Sequence, residues 1–217
     1  MLGFPYERSE GRCLAMTTIE KIRQSAIRHF AREGYDGASL AAIAGDAGIK
    51  KQSLYTYFKN KDELFLQMFP DVFQNELQHI TGQLENRSGS HLKELLFSLL
   101  QTFIRRYQTC DSTRFLIRSS LYPPEHLKEA ALHHFYNYWD QLEALLLPLF
   151  RESKRQGVLA SDIQEETAVS AYLGILDSIY IEMVYGGEIR LQKRLETSWP
   201  VYWRGISNRN LGGKEIE

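Results

Sequence analysis

Residues 49–61, IKKQSLYTYFKNK, carry four lysines, Lys50, Lys51, Lys59 and Lys61, and no acid. Tyr55, Tyr57 and Phe58 are interleaved with them. An ammonium group meets phosphates or guanine edges, a glutamine amide pairs with an adenine edge, and a hydroxyl donates to a phosphate oxygen. The stretch therefore has the side chains of a nucleic-acid reader. Taken alone, it has equally those of a charged surface helix or a helix lying on a membrane. The elements that hold it decide among the three.

Other residues with chemical potential lead nowhere so specific. Glu129 and His133 are four apart and share a helix face, with His126 and His134 nearby. Zinc takes three or four ligands, nothing in the sequence completes the set, and the group reads as a polar helix face. There is no phosphate loop, nucleophile elbow or paired Cys/His signature, so no catalytic residue, metal or cofactor is expected and the chain does not read as an enzyme. Cys13 and Cys110 have no metal-ligand spacing, which suits a reducing cytosol.

The chain of 217 residues is 43% apolar with a formal net charge of −1, so any nucleic-acid binding must come from a local patch. Residues 1–66 hold ten Lys and Arg against eight Asp and Glu, an asymmetry of the right sign. Apolar runs such as LEALLLPLF at 142–150 fall short of the roughly 20 residues a membrane span needs. The opening MLGFPYERSEGRCLAM is polar and lacks an apolar signal core. Residues 1–16 are expected to be a disordered leader, with Met16 a second candidate start. A cytoplasmic location with no membrane partner is expected.

Helical periodicity explains what holds the basic stretch. In TTIEKIRQSAIRHFAREG, Ile19, Ile22, Ala26, Ile27 and Phe30 fall at helical spacing, with Thr17 or Thr18 as cap and Gly34 as a left-handed end. Ser39 caps a second helix whose inner face is Leu40, Ile43, Ala44 and Ala47, and Gly48 makes a sharp turn. A third runs from about Lys50 to Phe58. Asn60 caps a fourth, with Asp62 and Glu63 in its first turn. The second and third helices form a helix-turn-helix, whose second member enters the DNA major groove. At 100° per residue, Leu54, Tyr57 and Phe58 turn inward. Gln52, Tyr55, Thr56 and Lys59 then turn outward, with Lys51 at the edge. The inner residues are needed for a core, which removes the membrane reading.

This segment resembles the N-terminal DNA-binding domain of the TetR family of bacterial transcriptional repressors. The resemblance rests on Ala26 and Phe30, Gly34-Tyr35, Ser39, Ile43-Ala44, Ala47-Gly48-Ile49, Ser53-Leu54-Tyr55, Tyr57-Phe58, Lys59-Asn60-Lys61 and Leu64. It implies that Ser39 and Lys61 contact phosphates and that Lys51, Gln52 and Tyr55 face base edges or backbone. Ser53, Thr56 and Tyr57 are implied as backbone contacts. Lys50 stands where Ser or Thr usually caps the recognition helix and is counted with the DNA contacts. Gln52 replaces a frequent glycine, and Ala42 a frequent acid.

Residues 70–207 show further helices and no strand pattern, so the fold class is all-α. Ser90 is a cap for the helix in HLKELLFSLLQTFIRRY, and STRFLIRSSLY stops at Pro123-Pro124. A long helix runs from about Glu125 to Gln156 with a bend at Pro148. The next ends at Gly186-Gly187, and the last carries a kink or break at Pro200. Ala168, Ala171, Tyr172, Ile175, Ile179 and Met183 form one apolar face of the penultimate helix. Leu173, Leu176, Tyr180 and Val184 form another, so that helix must be buried on both sides, by its own core and by a partner subunit. The resemblance implies the same: a second domain that pairs through its last two helices and holds a small molecule. The expected divisions are 17–66 for DNA binding, 67–207 for ligand binding and dimerisation, and 208–217 as a disordered tail.

Candidate effector residues are Tyr107, Phe115, Arg118, Tyr122, Tyr136, Trp139, Asp177 and Tyr180, aromatic or charged groups on otherwise apolar helices. The competing reading makes each aromatic plain core and each charge solvated. Asp177 among aromatics favours a cationic effector, and Arg118 in the same space an anionic one. The expected function is a ligand-responsive repressor that binds a pseudo-palindromic double-stranded operator as a homodimer. The alternative is an all-helical small-molecule-binding or small enzyme domain whose helix-turn-helix only packs.

Overall fold

A computed structural model of the chain describes residues 16–86 and 91–208. The expected leader and tail and the Ser90 cap lie outside them, apart from Met16 and Asn208 at their inner edges. Ten α-helices follow one another: α1 Thr18–Gly37, α2 Leu40–Asp46, α3 Lys51–Leu54, α4 Lys61–Leu66, α5 Met68–Glu85, α6 Leu92–Thr109, α7 Asp111–Leu121, α8 Lys128–Arg155, α9 Glu165–Ile181 and α10 Gly187–Ile206. A 3-10 turn, Glu125–Leu127, precedes α8, and a π turn, Glu182–Gly186, joins α9 to α10. Among the described residues there is no strand, only an isolated bridge between Leu159 and Ser207. The fold is all-α.

Local chemistry accounts for the N-terminal elements. Thr17 caps α1 in a full capping box, its side chain accepting from the Glu20 N–H while Glu20 accepts from the Thr17 N–H. Ile22, Ala26 and Phe30 are buried, but Ile19 is 37% exposed and lies off the inner face. Gly34 has φ 74° and ψ −179°, a positive φ with extended ψ rather than a left-handed turn. The chain bends there and makes one more turn to Gly37. After α2, Gly48 has φ 75°. Ile49 N–H bonds to the Ala44 carbonyl and Gly48 N–H to that of Gly45, both at 3.0 Å, the paired bonds of a glycine-ended helix.

Pro148 and Pro200 do not break their helices, since α8 and α10 run through them. Both prolines are exposed, as are Ala144 and Glu196 four residues before them, so the carbonyls left without an N–H partner face solvent. Helix α1 packs on α7, α5 on α8, α8 on α9 and α9 on α10. One core runs from Ile22 to Ile206. At its N-terminal end Phe30, Phe65, Phe69 and Phe115 interlock, with ring centroids 5.1 to 6.2 Å apart.

Helix α9 buries Ala168, Tyr172, Leu173, Leu176, Ile179 and Tyr180. Ala171 and Gly174 are exposed, and Ile175 and Val184 half-buried. The exposed line continues through Ile181, Tyr185 and Ile189, which are 48%, 64% and 87% exposed. By length and composition Glu165–Ile206 could cross a membrane, but over half of its apolar window is buried in the fold, as in the core helix of a folded domain.

Candidate DNA-binding surface and effector residues

Leu54 and Phe58, 0% and 1% exposed, anchor the recognition segment. Burying one such side chain contributes about 1.5–3 kcal/mol. The α-helix itself is short, Lys51–Leu54, but turns continue it through Tyr57, with Thr56 N–H bonding to Ser53 and Tyr57 N–H to Leu54. Lys50, Lys51, Gln52, Ser53, Tyr55, Thr56 and Tyr57 are all exposed. Tyr57, expected inward, is 41% exposed. Leu54 and Phe58, four apart, fill the slot, and a tyrosine hydroxyl pressed into it would be desolvated. Lys50 occupies the N-cap of α3 and makes no side-chain cap bond.

Ser39 caps α2 by accepting from the Ala41 and Ala42 N–H groups at 3.2 and 3.3 Å. Its own hydroxyl proton is left to donate outward. Lys61 is half-buried, with Nζ 3.4 Å from the Asp36 carbonyl and 4.4 Å from the Tyr35 ring centroid. Burial pulls its pKa below the ordinary lysine value, and Asp36 and Asp62 oppose the pull. The Tyr35 hydroxyl donates to Asp62, whose Oδ1 also lies 3.2 Å from His126 Nε2. These two bonds, Tyr35 first, hold the Asp62 carboxyl below its ordinary range, and burial, with Asp62 next, raises Tyr35. The head of α4 is thereby tied both to the end of α1 and to the turn before α8.

The structure separates the candidate effector residues into groups. Arg118 Nη1 donates to the Ala31 and Arg32 carbonyls at 2.7 and 2.9 Å, closing the end of the α1 helical run. Arg118 and Tyr122 line a cleft of about 250 Å³ with Phe30, Tyr35, Phe65 and Tyr185, at the junction of α1 and α4 with α7 and the π turn. Trp139 and Tyr180 meet edge to face at 5.8 Å in the core, and Phe115 is fully buried. Tyr107 is half-buried with the Arg114 guanidinium 5.9 Å from its ring centroid, and burial raises its pKa. Asp177 is half-buried, its carboxyl pushed up by burial, and it makes no ion pair among the described residues. Tyr136 is 59% exposed.

A buried polar group that the sequence reading did not single out lies beside Tyr180. Glu76, 1% exposed, accepts from Arg106 Nε and Nη2 at 2.9 and 2.8 Å and from the Thr113 hydroxyl at 3.1 Å. Nearby, the buried hydroxyls of Tyr138 and Tyr180 are close enough to interact with each other and have no other hydrogen-bond partner among the described residues, and burial raises both pKa values. The signal was present: Glu76 falls three residues after Phe73 and four before Ile80, on the apolar face of α5. Glu129 and His133 are exposed, and no cluster of three or more potential metal ligands occurs among the described residues.

A helix-turn-helix with an exposed face of lysines, glutamine and hydroxyls, carried by a helical body with aromatic interior sites, defines a DNA-binding transcriptional regulator. The family description for bacterial regulatory proteins of the tetR family matches residues 22–68. The probable acrEF/envCD operon repressor of Escherichia coli strain K12 is 23% identical over 176 residues, 78% of this chain and 79% of that protein. The biofilm operon icaADBC negative transcriptional regulator IcaR of Staphylococcus aureus strain Newman is 33% identical over 101 residues, 43% of this chain and 54% of that protein. The fatty acid degradation regulator FadR from Bacillus halodurans has the same fold, with TM-score 0.67 and 21% identity over 87% of this chain and 95% of that one. The matched segment at 22–68, the relatives and the shared fold together support a TetR-family transcriptional regulator.

Proposed function

We propose that this regulator is a repressor that binds a pseudo-palindromic duplex as a homodimer and is released by a small-molecule effector. The observation that carries the DNA reading is the exposure of Lys51, Gln52, Ser53, Tyr55, Thr56 and Tyr57 on one segment anchored by Leu54 and Phe58. Ser39 and Lys61 flank it as the phosphate contacts. The proposed division places DNA binding in 17–66 and effector binding and pairing in 67–207. Repression accords with the two relatives described as a repressor and a negative regulator.

Pairing is supported by the exposed line of Ala171, Gly174, Ile181, Tyr185 and Ile189 along α9, the π turn and the start of α10. Small residues let two helices approach, and the large apolar ones supply area that a monomer leaves in water. A two-fold protein calls for a two-fold site, because one helix-turn-helix makes few base contacts alone. The test combines sedimentation equilibrium with gel shifts on genomic fragments. A dimer at micromolar concentration that shifts a pseudo-palindromic fragment is expected. A monomer with undiminished DNA affinity, or a dimer that shifts no fragment more than random DNA, counts against the proposal.

A further inference from the structure

We propose that the cleft at the junction of α1, α4, α7 and the π turn binds a small organic cation, and that filling it disturbs the phosphate contact made by Lys61. The inference rests on the effector-responsive reading above and gives it a ligand class and a place, at the boundary of the two divisions rather than within 67–207 alone.

Tyr35 of α1, Tyr122 after α7 and Tyr185 of the π turn present aromatic rings to the cleft, and the buried Phe30 and Phe65 lie beneath them. An aromatic cage attracts a quaternary ammonium or a protonated amine through the negative faces of its rings. Glu33, which also meets His29, and Asp36, whose charge also acts on Lys61, line the cleft and give it negative charge. Arg118, the one basic residue in the lining, is committed to the Ala31 and Arg32 carbonyls, so its charge is met by the end of the α1 helix. Two carboxylates against one guanidinium leave the lining net negative, which favours a cation. A volume of about 250 Å³ accommodates one ring or a compact alkylammonium, at the small end of ligand clefts of about 300–1,000 Å³.

Position supplies the coupling. The Tyr35 ring is a wall of the cleft and also carries the Lys61 ammonium 4.4 Å from its centroid. A ligand cation on the same ring competes with Lys61 for its charge and repels it. Tyr185 is also part of the exposed apolar line on the far side of the cleft, 64% exposed. The ligand would thus touch the DNA-reading end and the pairing face together. Binding can oppose DNA only to the extent that the ligand prefers the DNA-free arrangement, and DNA must weaken the ligand by the same factor.

The test uses the full chain and benzyltrimethylammonium, with benzenesulfonate and benzyl alcohol as anionic and neutral comparisons, in calorimetric titrations without DNA. The cation is expected to bind at least tenfold more tightly than either comparison. The double variant Glu33→Gln/Asp36→Asn and the variant Tyr122→Ala should each weaken it about tenfold or more. Tyr122 is 79% exposed, so its truncation leaves the core intact. Tyr180→Phe, which alters the buried aromatic site instead, should leave cation binding unchanged. No cation binding at millimolar concentration, equal binding of benzenesulfonate, or wild-type affinity in the acid double variant overturns the site. A protein that binds the cation but no DNA supports the site and defeats the regulator reading. Equal DNA affinity with and without saturating cation overturns the coupling.

Discussion

Replacing Lys61 with alanine gives the most direct measure of how the DNA surface works. Each phosphate that a lysine neutralises contributes about 0.9 to the slope of log affinity against log salt on duplex DNA. Lys61 stands once per protomer at the head of α4, so a dimer with both copies engaged loses about 1.8 from that slope. Between 50 and 200 mM salt the wild type should then lose roughly 12-fold more affinity than the variant. Specific and random duplexes should respond alike, because a phosphate contact carries no sequence information. The structure adds a second expectation, since Lys61 Nζ also lies over the Tyr35 ring. Losing that contact should cost about 0.5–1 kcal/mol, or roughly 1–4 °C in melting temperature for a chain of this size. The assay is fluorescence anisotropy of labelled duplexes across a salt series, with thermal melts in parallel. An unchanged slope would show that Lys61 meets no phosphate, and a change of about 0.9 that only one protomer engages.

Gln52→Ala should lower affinity for the preferred site by roughly 1–3 kcal/mol while leaving random duplex nearly unaffected, measured by competition gel shift; an equal loss on both would remove Gln52 from the base-reading set. Arg106→Met leaves Glu76 buried with only the Thr113 hydroxyl. With Arg106 still 22% exposed, the loss should be about 3 kcal/mol, the low end for a broken buried pair. That is roughly 6–12 °C in melting temperature, and Glu76→Met/Arg106→Met should recover most of it; a double variant no more stable than the single one would contradict this account. Burial first, then His133, lowers the His134 pKa, and burial first, then Arg106, lowers that of His79. The unfolded chain therefore binds more protons below pH about 6.5, and stability should fall as pH drops from there through the lowered folded values. His134→Gln should flatten that fall in melts between pH about 7 and 5, and an undiminished fall would assign it to other groups.

What could be read without coordinates was what is local in the chain. Thr17 with Glu20, Ser39 before its helix and Gly48 in its turn act within a few residues, and each does what its type requires. At Tyr57 tertiary context overrides a local rule. Tyr57 turns outward because Leu54 and Phe58 already fill the slot. The bonds that unite distant segments were not legible: Arg118 reaches a carbonyl 87 residues away, and Arg106 meets Glu76 across 30. Helical periodicity marks a face as buried or wet, but it does not say which other helix the face will meet. The junction cleft draws on residues from Phe30 to Tyr185, and no spacing rule spans that distance.

The interlocked rings of Phe30, Phe65, Phe69 and Phe115 have a consequence for motion. They belong to α1, α4, α5 and α7, and each is at most 1% exposed. A free hinge between the DNA-reading end and the helical body would have to pull these rings apart and flood the gap with water. Close-packed interiors resist that, but two helices can slide along each other's ridges and grooves while the rings stay covered. A movement at this boundary that keeps the rings covered would therefore be shear of α1 along α7, with Arg118 exchanging one α1 carbonyl for the next. Such a slide has discrete stopping points, one for each carbonyl that the guanidinium can reach. The two recognition helices of a dimer would then sit at a few fixed spacings rather than a continuous range, and an operator would select among them.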